Sequence, residues 1–207
     1  MKKKPDEIRV LIACEFSGVV RRAFREKEFD VYSCDLLPAE DNSQHHFQMD
    51  VRELLNGDMY WDLMIAHPPC TYLANSGVRW LYERPERWKL LDEAAEFFKL
   101  LLDADIRHIA IENPIPHRYA LERIGRRYDQ IIQPWQFGHE ETKAICLWLK
   151  NLPILKPTKI VNRKVPRVWL EPPHPDRWKN RSRFYRGIAR AMADQWGDLM
   201  KEALNRR

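Results

Sequence analysis

Short, unbroken apolar runs recur along the chain at 10–13, 31–34, 63–66, 108–111, 130–133 and 144–149. Runs this short and continuous suit strands covered on both faces, which predicts a largely parallel sheet with helices on either side. Between the third and fourth runs, Leu90, Leu91, Ala94, Phe97, Phe98 and Leu101 recur at helical spacing and predict a core-facing helix over 87–103. Further helices are predicted over 19–27, 118–125 and 187–204, the last with Ile188, Met192, Trp196 and Leu199 on one face. Strand followed by helix, repeated, is the doubly wound order. The expected fold class is therefore α/β and Rossmann-like, a mostly parallel sheet with helices on both faces.

From 152 to 186 the pattern changes: Pro153, Pro157, Pro166, Pro172, Pro173 and Pro175 forbid long regular elements while basic residues accumulate. This stretch is expected to be an arm within one domain spanning 1–207, a length that leaves little room for a second full domain. No internal repeat or low-complexity tract is visible.

Composition changes the picture in three ways. With 44% apolar residues the chain can build its own core, and a net charge of +5 with a pI near 9.0 favours an acidic partner such as nucleic acid. Cys14, Cys34, Cys70 and Cys146 are far apart and form no Cys-x-x-Cys pair, so neither a disulfide framework nor a zinc site is indicated. The amino terminus, Met1-Lys2-Lys3-Lys4-Pro5-Asp6-Glu7, has no apolar stretch behind its lysines, and no later run is long enough to span a bilayer. A cytoplasmic protein with no membrane or metal partner is expected.

In a doubly wound sheet the ligand lies outside the carboxyl ends of the strands. After the first run come Cys14-Glu15-Phe16-Ser17-Gly18, a turn whose glycine lets a cofactor approach the backbone and whose Phe16 can stack on an adenine; an ordinary strand-to-helix turn reads the same way. After the second run, Asp35 can accept hydrogen bonds from a ribose. Asp50 can bind an adenine amino group or cap a helix starting at Val51, and both readings stand.

The third end, Ala66-His67-Pro68-Pro69-Cys70, carries the sharpest signal. Two prolines fix the backbone and remove donors, which makes a rigid loop able to hold Cys70 above the sheet as a nucleophile; burial as a small apolar side chain is the competing fate. At the fourth end, Ile111-Glu112-Asn113-Pro114, a carboxylate is expected to leave a buried strand straight into a proline-bounded turn. Burial of this kind tends to raise a carboxyl pKa and suits proton transfer, although a carboxylate capping backbone amides is also compatible.

Taken in order, these motifs resemble the DNA cytosine-5 methyltransferase family, in particular its short phage and prophage members. His67-Pro68-Pro69-Cys70 is similar to the family's Pro-Cys motif, Glu112-Asn113-Pro114 to its Glu-Asn-Val motif, and Glu15-Phe16-Ser17-Gly18 to its Phe-x-Gly-x-Gly cofactor loop. The likeness runs over about residues 9–150, with a weaker echo near Gly187–Ala193. It implies a Rossmann-like S-adenosylmethionine-dependent methyltransferase fold. It also implies that S-adenosylmethionine is held by Glu15, Phe16, Ser17, Gly18, Asp35, Asp50 and Pro68, and that nucleic acid, DNA in the first place, is the substrate. Cys70 would add to carbon 6 of cytosine, Glu112 would support the ring nitrogen and amino group, and carbon 5 would then take the methyl group. The target base would be flipped out or single-stranded, because a stacked base cannot present carbon 6 to a thiolate.

The chain departs from the family at three places. Val20 stands at the second glycine of the cofactor loop. In the region of the family's Gln-x-Arg-x-Arg motif only Lys143 keeps a cation, Ile145 replacing the second arginine. The large target-recognition domain is replaced by the arm 152–186. In the arm, Lys156, Lys159, Arg163, Lys164, Arg167, Arg177, Lys179, Arg181, Arg183 and Arg186 face only Glu171 and Asp176, with Trp169, Trp178, Phe184 and Tyr185 interleaved. Substrate contacts are therefore expected from Asn113, Lys143, Arg177, Lys179 and Arg181, the arm's cations holding phosphates. Two alternatives stay open: a methyltransferase-fold nucleic-acid-binding protein that has lost catalysis, and an amino methyltransferase. A zinc deaminase is excluded, since Leu73 stands where its second cysteine would be.

Overall fold

The computed structural model describes residues 7–175 and 177–205; the lysine-led amino terminus and Asp176 lie outside the described residues, as do the side chains of Trp169 and Trp178. Seven strands, β1 (Arg9–Ala13), β2 (Asp30–Asp35), β3 (His46–Gln48), β4 (Leu63–Ala66), β5 (His108–Pro114), β6 (Gln130–Ile132) and β7 (Ile145–Lys150), form one sheet in the order β3-β2-β1-β4-β5-β7-β6. From β3 to β5 every pair is parallel, with Val10 opposite Val31 on one side and Leu63 on the other. β7 enters reversed between β5 and β6 and is antiparallel to both. The expected Rossmann-like α/β fold, with a mostly parallel sheet, is the fold observed.

The apolar runs form strands because each side chain finds cover. On β1, Val10 and Ile12 point into one core while Leu11 and Ala13 point into the other, and all four are fully buried. One core is closed by α1 (Val19–Arg25) and α8 (Arg186–Asn205), which brings Phe24, Ile188, Met192 and Trp196 under the sheet. The other is closed by α2 (Val51–Leu55), α4 (Arg87–Leu102) and α5 (Arg118–Ile124), with Leu91, Phe98 and Trp148 at its centre. Each such side chain contributes roughly 2 kcal/mol by leaving water. The predicted helices stand within two residues of their observed ends. β6 differs from the expectation of cover on both faces: it is an edge strand with Ile131 exposed.

Gly187, in the first turn of α8, explains why that helix can approach the 137–139 segment so closely. A Cβ there would lie 1.9 Å from the Phe137 carbonyl oxygen, and its own N–H donates to His139 Nε2 at 2.8 Å.

The arm is extended apart from two short helices, α6 (Arg167–Leu170) and α7 (Arg177–Ser182). It is moored at its start, where Trp196 Nε1 donates to the Pro153 carbonyl at 3.0 Å and the Gln130 side chain bonds the Leu155 backbone through both N–H and C=O. Its far end folds back to the carboxyl edge of the sheet.

That edge carries a step. β4 stops at Ala66, since Pro68 and Pro69 have no N–H to continue a ladder, whereas β5 runs three residues past its last partner on β4. Glu112, Asn113 and Pro114 are therefore not a turn, as the sequence led one to expect. They remain in the strand because β7 pairs with them at Leu147, Cys146 and Ile145. A separate short helix, α3 (Trp80–Glu83), lies between the step and α4.

Candidate active site

A cleft of about 710 Å³ opens at the carboxyl edge above β1, β2, β4 and β5. It brings together Cys14, Glu15, Phe16, Ser17 and Asp35 on one side and Pro68, Cys70, Glu112, Asn113, Lys143 and Arg181 on the other. Among the described residues no group of His, Cys, Asp and Glu is arranged to hold a metal ion, and no helix is long and apolar enough to cross a membrane.

On the Cys70 side, the loop after β4 is fastened to β5. Asn113, buried, donates from Nδ2 to the Pro68 carbonyl at 2.9 Å. Behind Cys70 the chain turns at once, with the Leu73 and Ala74 amides donating to the Cys70 carbonyl, so the thiol is half-buried and held over the step. Burial pushes the Cys70 thiol up and the Glu112 carboxylate adds to this, while Lys143 and Arg181 pull it down. Lys143 is itself held in place, since its Nζ donates to the Arg181 carbonyl at 2.9 Å.

Glu112 departs from the sequence expectation. Burial pushes its carboxyl up, but a hydrogen bond from His67 and the charges of His67 and Lys143 outweigh that, and the pKa lies below the ordinary value. His67 Nδ1 sits 3.0 Å from Glu112 Oε2, both side chains being 12% exposed. Its ring packs at 4.8 Å against Phe184 from the arm, and its buried Nε2 has no hydrogen-bond partner. The sequence analysis gave His67 no role. Its one visible signal was its place immediately before the two prolines.

On the other side of the cleft, Glu15 turns inward as well as lining it. Its carboxylate accepts from the Val20 amide at 2.7 Å and the Arg21 amide at 3.2 Å, capping α1 from below. Gly18 at the N-cap has φ +66°, and a Cβ there would lie 2.5 Å from Arg21 Nη2. Gly18 thus shapes the turn but does not line the cleft. Asp35 accepts from the Leu37 amide at 2.9 Å, and burial raises its pKa. Leu37 lines the cleft beside it, 36% exposed.

Three other candidate residues are not brought to the cleft. Asp50 caps α2, accepting from the Arg52 amide at 2.9 Å and pairing with the Arg52 guanidinium at 2.5 Å, which holds its carboxyl below the usual range. Arg177 donates from Nε to the Glu171 carbonyl at 2.8 Å, and Lys179 stands on the same short helix away from the lining. Three of the arm's arginines are engaged by carboxylates. Arg163 and Arg167 face Glu140, and Arg183 reaches Glu40.

Sequence reasoning also missed the wall contributed by the 71–87 segment. Trp80, Arg84 and Arg87 line the cleft beside Cys70, and Arg87 is fixed by donating to the Thr71 carbonyl at 3.2 Å.

No protein-family model matches the chain, and no curated protein matches it. Among solved structures the chain is similar to an E. coli protein assigned as a prophage-encoded DNA modification methyltransferase, at 16% identity, TM-score 0.49, over 74% of this chain and 52% of that one. It is also similar to the Entamoeba histolytica methyltransferase EhMeth (15% identity, TM-score 0.47, 79% and 58%) and to Spodoptera frugiperda DNMT2 (15%, TM-score 0.38, 77% and 57%). The chain spans between 52% and 58% of the length of these structures.

Proposed function

We propose that this chain transfers a methyl group from S-adenosylmethionine to carbon 5 of cytosine in nucleic acid, DNA in the first place, through a covalent bond between Cys70 and carbon 6. The observation that carries the reading is the meeting of Cys70 and Glu112 in one cleft, from the ends of adjacent parallel strands. Lys143 and Arg181 acting on the thiol, and Asn113 holding its loop, add to it.

The other half of the cleft suits the cofactor. Asp35 keeps acceptor capacity beyond its bond to the Leu37 amide, which fits a ribose diol, and Phe16 and Leu37 offer apolar surface for an adenine. Ser17 and Pro68 line the same cleft. When bound, the cofactor supplies an electrophilic methyl group.

The chain's own residues account for the remainder. Addition of the Cys70 thiolate forms a sulfur–carbon bond at carbon 6 and moves the ring's 5,6 electron pair to carbon 5. Negative charge builds at ring nitrogen 3, which takes up a proton from water by way of the Glu112 carboxylate, itself held in place by His67. After methylation the carbon 5 proton passes to water, its electron pair re-forms the 5,6 double bond and expels Cys70 as thiolate, and ring nitrogen 3 returns its proton to Glu112, restoring the ring. Lys143 and Arg181 favour the thiolate at both ends of this sequence.

The experiment is transfer of tritiated methyl from S-adenosylmethionine to single-stranded DNA, followed by nucleoside analysis. Label in 5-methylcytosine is expected. Label in N4-methylcytosine or N6-methyladenine, or none in the presence of bound cofactor, overturns the reading.

A further inference from the structure

The cleft continues outward as a ladder of aromatic rings and arginines on α3, α4 and α5. Trp80, inside the cleft, lies under the guanidinium groups of Arg79 at 4.4 Å and Arg84 at 4.9 Å, and Arg87 lies over Tyr72 at 4.6 Å. Beyond the rim the rings of Tyr82, Trp88 and Tyr119 stand edge to face, 5.0 to 6.3 Å apart, with Arg118 over Tyr119 at 4.5 Å and Arg123 over Trp88 at 5.3 Å. The Tyr82 and Tyr119 hydroxyls are hydrogen-bonded to each other.

Two features set this surface apart from ordinary packing. Tyr82 is 64% exposed, an unusual position for a large ring with no core to fill. Of the five arginines, Arg123 is paired with Asp92, but Arg79, Arg84, Arg87 and Arg118 have no carboxylate partner among the described residues, although Glu83, Glu86 and Glu122 stand on the same elements. In the arm, by comparison, Arg163, Arg167 and Arg183 are paired with Glu140 and Glu40.

We infer that this ladder is the binding track for a single strand of the nucleic-acid substrate, leading bases along Tyr82 and Trp80 to Cys70 while Arg84 and Arg118 hold the flanking phosphates. The inference rests on the nucleic-acid reading above and gives it a substrate form. Unpaired bases stack on aromatic faces whatever their sequence, and guanidinium groups that lie over rings are positioned to meet the phosphates between them. The faces of bases inside a duplex are already stacked and would gain nothing from Tyr82.

The test is fluorescence anisotropy of the full chain, without cofactor, on a labelled single-stranded DNA dodecamer and on a blunt duplex of the same sequence, across a salt series. Tyr82→Ala is expected to weaken single-strand binding about tenfold, and Tyr82→Phe, which keeps the ring, to stay within about twofold of the parent. Arg84→Ala and Arg118→Ala should each lower the slope of log affinity against log salt by about 0.7 on the single strand. The duplex should respond to Tyr82→Ala by less than about twofold. If the variants bind single strands as the parent does, or if Tyr82→Ala costs as much on the duplex, the track is wrong while the cytosine chemistry stands. Failure of the parent to bind either DNA overturns both.

Discussion

His67 Nδ1 and Glu112 Oε2 lie 3.0 Å apart across the step between β4 and β5, in a pocket closed by Phe184. The pair reverses what burial alone would do to the carboxyl group, since burial is the largest influence on Glu112 and pushes it up while the outcome is a pKa below the ordinary value.

The sign of that shift can be read in stability. A carboxyl depressed on folding stabilises the protein above its ordinary value, about pH 4, and loses that contribution as the pH falls through the folded value. In His67→Ala burial is opposed by Lys143 alone, so Glu112 is raised instead, and its contribution to stability declines as the pH climbs above about 4. Denaturant titrations from pH 3 to 7 should therefore show the difference between parent and variant widening with pH, to about 3 kcal/mol at neutrality. A difference that is constant over this range would mean that the two side chains are not coupled.

Cys70 sets the pH dependence of turnover. Its thiol is raised by burial and by Glu112, so the thiolate is scarce at neutral pH and kcat/KM should rise about tenfold per pH unit between roughly pH 6.5 and 8.5. Lys143→Met removes one of the two cations that oppose this, and should displace the profile to higher pH, lowering kcat/KM by a constant factor over this range and moving its alkaline plateau upward, with Lys143→Arg recovering most of the loss. A lowered plateau that begins at the same pH as in the parent would make Lys143 a substrate contact without influence on the thiol.

Asp35 and Asp50 separate binding from folding. Asp35→Ala should weaken S-adenosylmethionine in calorimetry about tenfold or more, since it removes a charge-assisted bond to the ribose. Asp50→Ala should cost about 1 kcal/mol of stability through the lost cap on α2 and leave cofactor affinity near that of the parent. The reverse pattern would move the ribose from the end of β2 to the start of α2.

The fold was legible because the core strands carry continuous apolar runs that only a covered parallel sheet accommodates, as β1 and β4 show. The extra length of β5 was not, because Glu112 and Asn113 read as a turn until β7 is known to pair with them. The candidate residues Cys70, Glu112 and Asp35 could be picked out because each follows an apolar run, where strand ends project side chains into one cleft. His67 was passed over since its partner lies 45 positions away and nothing local marks the contact. Trp80, Arg84 and Arg87 belong to a segment with no strong periodicity, and only the packing of α3 and α4 turns them towards the site. Which of the arm's cations face the cleft was not legible either, because composition counts charges whereas the fold brings Arg181 to the lining and pairs Arg167 and Arg183 with Glu140 and Glu40.

The covalent step is the centre of the account, and its most direct test is intact-mass analysis after incubation with S-adenosylmethionine and a single-stranded oligonucleotide carrying 5-fluorocytosine. Fluorine at carbon 5 cannot leave as a proton does, so the reaction should halt after methyl transfer with Cys70 still bonded to carbon 6. The predicted result is a stable species at the summed mass of protein, oligonucleotide and one methyl group, formed by the parent, absent for Cys70→Ala, and mapped to Cys70 by peptide sequencing. Methylation of unmodified DNA by Cys70→Ala, or an adduct mapped to Cys14, would contradict it.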